Sequence, residues 1–411
     1  MSAPPVPYMR HQCHGCGHAS AATDFRVCPG CGGPLSLESL ARPPRAIFEQ
    51  RPESLWHYRE LLPIPEGVAP VTLGEGATPA IEADRLRARF GLNRLLLKNE
   101  TGNPTGSFKD RQVSVGITHA RHIGASTVVA MSSGNVACSA SAYAARAGMR
   151  AIVLVHGHAA PAKLRQAAAY GGQVVRVPTD SSREVIDLCI RASEEFGWYH
   201  LTTAGMHERY NVEGAKTIAY ELYQQTGGDL PEWVVVPVGG GGLLGAVWRG
   251  FEDLVRLGLI DRCPRLCGVQ PRECAPLAQA IDRGWGFRES LAHPWPAPKT
   301  IAGGLADDIL FDGHTALPAI RETNGLAITV SEGEILEGMR LLAATEGILC
   351  EPSSAVVVAA LAKLPPESNG VCCVITGSGI KDLDAFAGSA AGPYPAATTL
   401  DEFRALTGGA G

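Results

Sequence analysis

Asn99-Glu100-Thr101-Gly102-Asn103-Pro104-Thr105-Gly106-Ser107-Phe108-Lys109-Asp110-Arg111 is the stretch on which the reading of this chain turns. Before it runs Arg94-Leu95-Leu96-Leu97-Lys98, an apolar segment whose length and flanking glycines predict a buried strand. After it, Val113, Gly116, Ile117 and Ala120 recur at helical spacing through Ile123. Lys109 therefore opens a helix that follows a loop of Gly, Pro, Asn and Thr. A cation at the positive end of a helix dipole is disfavoured, which eases loss of its proton. A lysine nucleophile toward carbonyls needs that property.

From that point the chain alternates strand and helix. Apolar strands are expected at Thr127–Met131, Ala151–Val155, Gln173–Val177, Trp233–Val238, Leu266–Val269 and Val371–Thr376, with helices near 82–90, 136–147, 161–170, 182–196 and 212–226. The alternation predicts an α/β fold of parallel sheets with helices on both faces, whose ligands bind at the carboxyl ends of the strands. Three further motifs fall at such ends. Met131-Ser132-Ser133-Gly134-Asn135 combines hydroxyls, amides and a helix start, suited to a carboxylate or phosphate. Val238-Gly239-Gly240-Gly241-Gly242-Leu243 lets successive N–H groups converge on one anion without side-chain obstruction. It lacks the Lys-Ser/Thr of a nucleotide P-loop and the spacing of a dinucleotide fingerprint. Val374-Ile375-Thr376-Gly377-Ser378-Gly379 places a hydroxyl at a strand end before a tight turn.

Composition narrows the field. With 411 residues, 45% of them hydrophobic, the chain can fill the cores of two or three domains. A net charge of −5 with no basic block argues against nucleic acid as a partner. No apolar run reaches the roughly 18 residues of a membrane span, and the N-terminus has no signal-peptide pattern, so a cytoplasmic protein is expected. Cysteines scattered singly in apolar stretches fit a reducing compartment. The exceptions are Cys13, Cys16, Cys28 and Cys31, two C-x-x-C knuckles eleven residues apart. Their spacing predicts a four-thiolate Zn2+ site in a small ribbon, with every protein ligand filled and the metal structural.

The order of these motifs resembles the fold-type II pyridoxal-phosphate enzymes, the tryptophan synthase β-like superfamily. Within it, Asn103-Pro104-Thr105-Gly106-Ser107-Phe108-Lys109-Asp110-Arg111 is similar to the lysine motif of the threonine synthase family. The cysteine ribbon, Val71–Gly76, Val212–Thr217 and Glu351-Pro352-Ser353-Ser354-Ala355 share that likeness. The resemblance implies two parallel-sheet αβα lobes behind an N-terminal zinc ribbon. The ribbon spans 10–40, a large lobe 41–125 with 216–387, a small lobe 126–215, and a peripheral tail 388–411. It also implies a homodimer.

By the same resemblance Lys109 would hold pyridoxal 5'-phosphate covalently and serve as the acid–base group. Asn135 would face the cofactor's phenolic oxygen, while Gly239, Gly240, Gly241, Gly242 and the Leu243 amide would cradle its phosphate. Thr376 would meet the pyridine nitrogen, making a milder electron sink than a carboxylate partner would. Ser132, Ser133 and Gly134 would bind the carboxylate of an amino-acid substrate. The implied reaction is that of a carbon–oxygen lyase taking O-phospho-L-homoserine and water to L-threonine and phosphate. The substrate's phosphate needs a second anion pocket. The family's arginine for that purpose is displaced by two positions here, leaving Arg209 as candidate with Lys163 and Arg165 behind it. The plain glycine run replaces the Gly-Asn-x-Gly-Asn of many threonine synthases, and Val136 replaces a common threonine. These departures motivate an alternative: a serine/threonine dehydratase, or a β-replacement enzyme similar to cysteate synthase. A zinc-ribbon binding module on an inactive scaffold is the competing non-enzymatic reading.

Overall fold

The computed structural model describes residues 8–21, 27–50, 52–156, 161–179, 182–366, 368, 370–386 and 395–407. The tail expected from 388 lies partly outside them. Among the described residues the strands form three sheets. The first is antiparallel, with β1 (Met9–Cys13) between β2 (Ala19–Ala21) and β3 (Leu35–Ser39). The second holds β4 (Ala80–Glu82), β5 (Arg94–Asn99), β10 (Trp233–Pro237), β11 (Arg265–Pro271), β12 (Leu326–Val330) and β13 (Gly370–Ile375). The third holds β6 (Thr127–Met131), β7 (Arg150–His156), β8 (Gln173–Val177) and β9 (Tyr199–His200).

The six-stranded sheet runs β12-β11-β10-β13-β5-β4 and is parallel except for β4, which pairs antiparallel with β5 at the edge. Every residue of β10 and β13 is buried, which explains their unbroken apolar reading: helices cover both faces, so no position faces water. Leu243, Leu244, Val247, Phe251 and Leu254 of helix Gly242–Arg256 pack with Val234 and Val236 on one face. Val356, Val357 and Val358 pack with Val235 and Cys373 on the other. Each such large side chain contributes roughly 1.5–3 kcal/mol on burial. The four-stranded sheet, β8-β7-β6-β9, is parallel throughout.

The expected helix over 212–226 is interrupted. Arg209–Glu213 is one short helix, Gly214–Lys216 a tighter turn, and Thr217–Gln225 a second helix. The reason is a close crossing with the lysine helix, Lys109–His122. A Cβ on Gly214 would lie 1.9 Å from the Arg111 carbonyl oxygen, so only glycine passes there.

The antiparallel cysteine sheet docks on this body. Arg249 donates to the Leu37 carbonyl at 3.0 Å and pairs with Glu213 at 2.5 Å. Tyr8 donates to the Ile64 carbonyl at 2.7 Å. No helix among the described residues is long and apolar enough to cross a membrane.

Candidate active site

Lys109 is the first residue of its helix, directly after the loop that leaves β5. Its neighbours are fastened. Asp110 accepts from the Thr105 amide, the Thr105 hydroxyl and the Ser139 hydroxyl, each at 2.6 Å. Arg111 forms a buried cluster with Glu100 and Glu221, and Lys98 joins it through Glu221 at 2.6 Å. All four side chains are fully buried, and two cations balance two carboxylates. The lysine's own amine is held lightly, donating to Gln112 Oε1 and Thr203 Oγ1 at 3.1 Å each. Loss of hydration lowers its pKa to about 8, against the opposing pull of Asp307 and Asp312. That is the state of a nucleophile.

The glycine loop lies beside it. Gly241 turns with φ +99°, and the helix begins at Gly242. A Cβ on Gly239 would lie 2.7 Å from Asp307 Oδ2, one on Gly240 3.0 Å from Phe311, and one on Gly242 2.8 Å from Asp312 Oδ2. Side chains are therefore excluded at these three positions, and the backbone stays bare for a ligand. The two aspartates carry no signal in the sequence. Burial pushes Asp307 up to about 6 although the Gly240 amide donates to it, and Asp312 up to about 7 although the Gly205 and Met206 amides donate to it. Both are thus poised to shed charge when an anion approaches.

Thr376 ends β13 and is buried. Its hydroxyl meets the Ser354 hydroxyl at 2.8 Å, and Ser354 also accepts from the Thr376 and Gly377 amides. The Thr376 carbonyl accepts from the Phe108 amide at 2.9 Å, tying this strand end to the lysine. Ser132, Ser133 and Gly134 lead into helix Asn135–Ala147, with the Gly134 amide donating to Ser132 Oγ at 3.0 Å. Asn135 Nδ2 donates to Glu351 at 2.8 Å.

Arg209 is the exception. It is buried, and the ring of its chain neighbour Tyr210 stacks 3.5 Å from His119. His119 is ten residues past Lys109, about 15 Å along the helix. The expectation that Arg209 faces the substrate is corrected: the turn that buries Tyr210 against His119 carries it away. Arg165 is exposed. Lys163 does approach, pairing with Glu351 at 3.0 Å, and Lys381, unmarked in the sequence reading, donates to Asn135 Oδ1 at 2.5 Å.

Cofactor fit follows from these features. A lysine of lowered basicity, a bare glycine cradle at a helix start and a hydroxyl at a strand end match the aldehyde, phosphate and ring nitrogen of pyridoxal phosphate.

The family model described as pyridoxal-phosphate dependent enzyme matches residues 71–377. Threonine synthase of Methanocaldococcus jannaschii is 34% identical over 92% of this chain and 94% of its own length. That of Synechocystis sp. is 36% identical over 90% and 92%. The chain belongs to the threonine synthase family of pyridoxal-phosphate-dependent enzymes. It is a lyase of fold-type II, as the resemblance implied. Among solved structures, maize serine racemase superposes with a TM-score of 0.65 at 24% identity, covering 76% of this chain and 91% of that one. A bacterial-type match, the threonine deaminase of T.th., gives 0.61 at 28%, covering 73% and 92%. Members of the family thus share the arrangement of two parallel sheets that flanks Lys109 here.

A second cluster lies in the N-terminal sheet. The sulfurs of Cys13, Cys16, Cys28 and Cys31 all lie within 4.8 Å of one another, with Cys13–Cys31 at 3.5 Å and Cys16–Cys28 at 3.8 Å. Tetrahedral thiolates around zinc stand about 3.8 Å apart, so the group could hold a metal ion. Burial works against a thiolate at Cys13, yet amide donation from Cys16 and Gly15 and its sulfur neighbours bring it down to about 7.

Proposed function

We propose that this enzyme converts O-phospho-L-homoserine and water to L-threonine and phosphate. The observation that carries the reaction type is the hydroxyl pair Thr376–Ser354 at the end of β13, where a carboxylate would favour a fully protonated ring. The identity to curated threonine synthases over nine-tenths of the chain supports the substrate.

When bound, the cofactor draws electrons from the substrate's α-carbon, lowering the cost of removing its proton. In this reading Gly239 to Gly242 and the Leu243 amide hold the cofactor's phosphate, Thr376 its ring nitrogen and Asn135 its phenolic oxygen. Ser132, Ser133 and Gly134 orient the substrate carboxylate at the start of helix Asn135–Ala147. Lys109, released as substrate binds, takes the α-proton and returns protons to the chain of carbons. Phosphate leaves from the γ-carbon and water adds at the β-carbon. A base with a pKa near 8 can do both at neutral pH.

The assay is phosphate release with threonine formation from O-phosphohomoserine. Turnover of serine or threonine to ammonia and a 2-oxo acid, without phosphohomoserine turnover, supports the second reading, a dehydratase or cysteate synthase-like β-replacement enzyme. The distance of Arg209 from Lys109 is the specific observation favouring that alternative. The wider proposal places Zn2+ on the four cysteines of a ribbon over 10–40 and a large lobe over 41–125 with 216–387. It adds a small lobe over 126–215, a peripheral tail over 388–411, and a cytoplasmic homodimer acting on a free amino acid, without nucleic acid or membrane.

A further inference from the structure

Asn135 is gripped from both ends by opposite charges. Its Nδ2 donates to Glu351 Oε2 at 2.8 Å, and its Oδ1 accepts from Lys381 Nζ at 2.5 Å. Lys381 also donates to the Thr105 carbonyl at 2.9 Å, which anchors it under the lysine loop. Glu351 Oε1 is paired with Lys163 at 3.0 Å. The approach is built into the backbone. A Cβ on Gly377 would lie 2.5 Å from Glu351 Oε2 and 3.3 Å from Asn135 Nδ2, and one on Gly106, at φ +83°, 3.4 Å from Lys381 Cε.

An ammonium has no acceptor and a carboxylate no donor, so only one amide orientation satisfies both. Turned over, Asn135 would point N–H groups at Lys381 and its carbonyl at Glu351. Both hydrogen bonds would become repulsions. In the allowed orientation one N–H of Nδ2 is spent on Glu351 and the second remains. The residues that set this come from the far end of the chain, 216 and 246 positions beyond Asn135.

Resting on the reading of Asn135 given under Proposed function, we propose that Lys381 and Glu351 are positioning residues that lock the Asn135 amide, so that its remaining N–H meets the cofactor's phenolic oxygen with a cation one amide behind it. The charged and titratable groups around this cluster are Glu351, Lys163, Asp382, Asp110 and Cys138. Lys163 offsets Glu351, which leaves Lys381, bonded only to neutral acceptors, as the cation on the Asn135 side. A nearby cation resists protonation of the bound cofactor.

The test uses full-length protein loaded with pyridoxal phosphate. Two quantities are read: the cofactor dissociation constant of the depleted protein, and the pH midpoint of the bound cofactor's visible absorbance. K381M is expected to weaken binding about tenfold and raise the midpoint by about one pH unit. K381R, which keeps the charge, should restore the midpoint. N135A should weaken binding at least as much, and K381M added to N135A should cost nothing more, because Lys381 acts through the amide. Additive losses, or K381M with the wild-type midpoint and affinity, overturn the proposal. If N135A itself changes neither quantity, the reading of Asn135 falls and the proposal falls with it. If N135A changes both and K381M neither, only the lock is refuted. Urea unfolding of the depleted variants checks folding, and K381Q replaces K381M if the latter does not fold.

Discussion

Arg111 grips Glu221 with two nitrogens, Nη1 at 2.5 Å and Nη2 at 2.7 Å, and neither side chain touches solvent. Arg111 stands two residues past Lys109, and Glu221 lies on helix Thr217–Gln225, so this fork fixes the base of the reactive lysine to the body of the protein. Arg111→Met would leave Glu100 and Glu221 buried with only Lys98 to answer them. It is expected to destabilise the fold by about 3–5 kcal/mol, read as the urea midpoint of the cofactor-free protein. A loss under about 1 kcal/mol would show that the cluster is replaceable by packing.

Lys109 should capture pyridoxal phosphate only as the neutral amine. Because burial lowers its pKa to about 8, the capture rate should rise with pH and level off above about 8, well below the pH an ordinary lysine requires. Stopped-flow absorbance follows it. Lys109→Ala should show no covalent visible band at any pH; a wild-type profile still rising steeply at about pH 10, where an ordinary lysine titrates, contradicts the lowered basicity.

Asp307 faces the cradle of Gly239 and Gly240, where a second anion is expected. Raised to about 6, its carboxyl is charged above that pH and neutral below. The charge opposes a phosphate. Asp307→Asn should bind pyridoxal phosphate about tenfold more tightly at about pH 8, about 1.4 kcal/mol, with the advantage fading toward about pH 5. Equilibrium titration across pH decides it. Weaker binding by the variant on the alkaline side would mean instead that the carboxylate holds the loop in shape.

The cysteine cluster should carry one zinc per chain. Its neighbour His14 packs edge-on against His314 at 5.0 Å and bonds Ser36 at 2.8 Å, so the ribbon is seated on the helix Gly313–Glu322. Chelation is expected to unfold the ribbon alone, exposing Arg10 and Arg45 to trypsin while the body resists. A metal-free protein that is not cut there refutes the structural role of the metal.

Much of this is legible along the chain. The strands at Gln173–Val177 and Thr127–Met131 and the helix at Ser182–Phe196 coincide with the expected bounds because buried parallel strands and amphipathic helices have distinct local periods. The strand Leu326–Val330 is absent from the expected set. It lies at the sheet edge with four of its five residues only partly buried, and an edge strand carries no continuous apolar run. The break in the helix over 212–226 is hidden as well, since Gly214 is required by a carbonyl on another helix and not by its own neighbours.

The sequence by itself determined the alternation of strands and helices, the lysine at a helix start, the glycine cradle and the cysteine knuckles. Each is a pattern within a dozen residues or so, where backbone geometry and side-chain spacing act directly. Only the tertiary structure decided which charges surround them. Asp307 and Asp312 beside the glycines, Ser354 on Thr376, Lys381 and Glu351 on Asn135, and the removal of Arg209 all depend on the order of strands in two sheets. A contact across two hundred positions leaves no local period, because it is the packing of whole elements that brings the two side chains together.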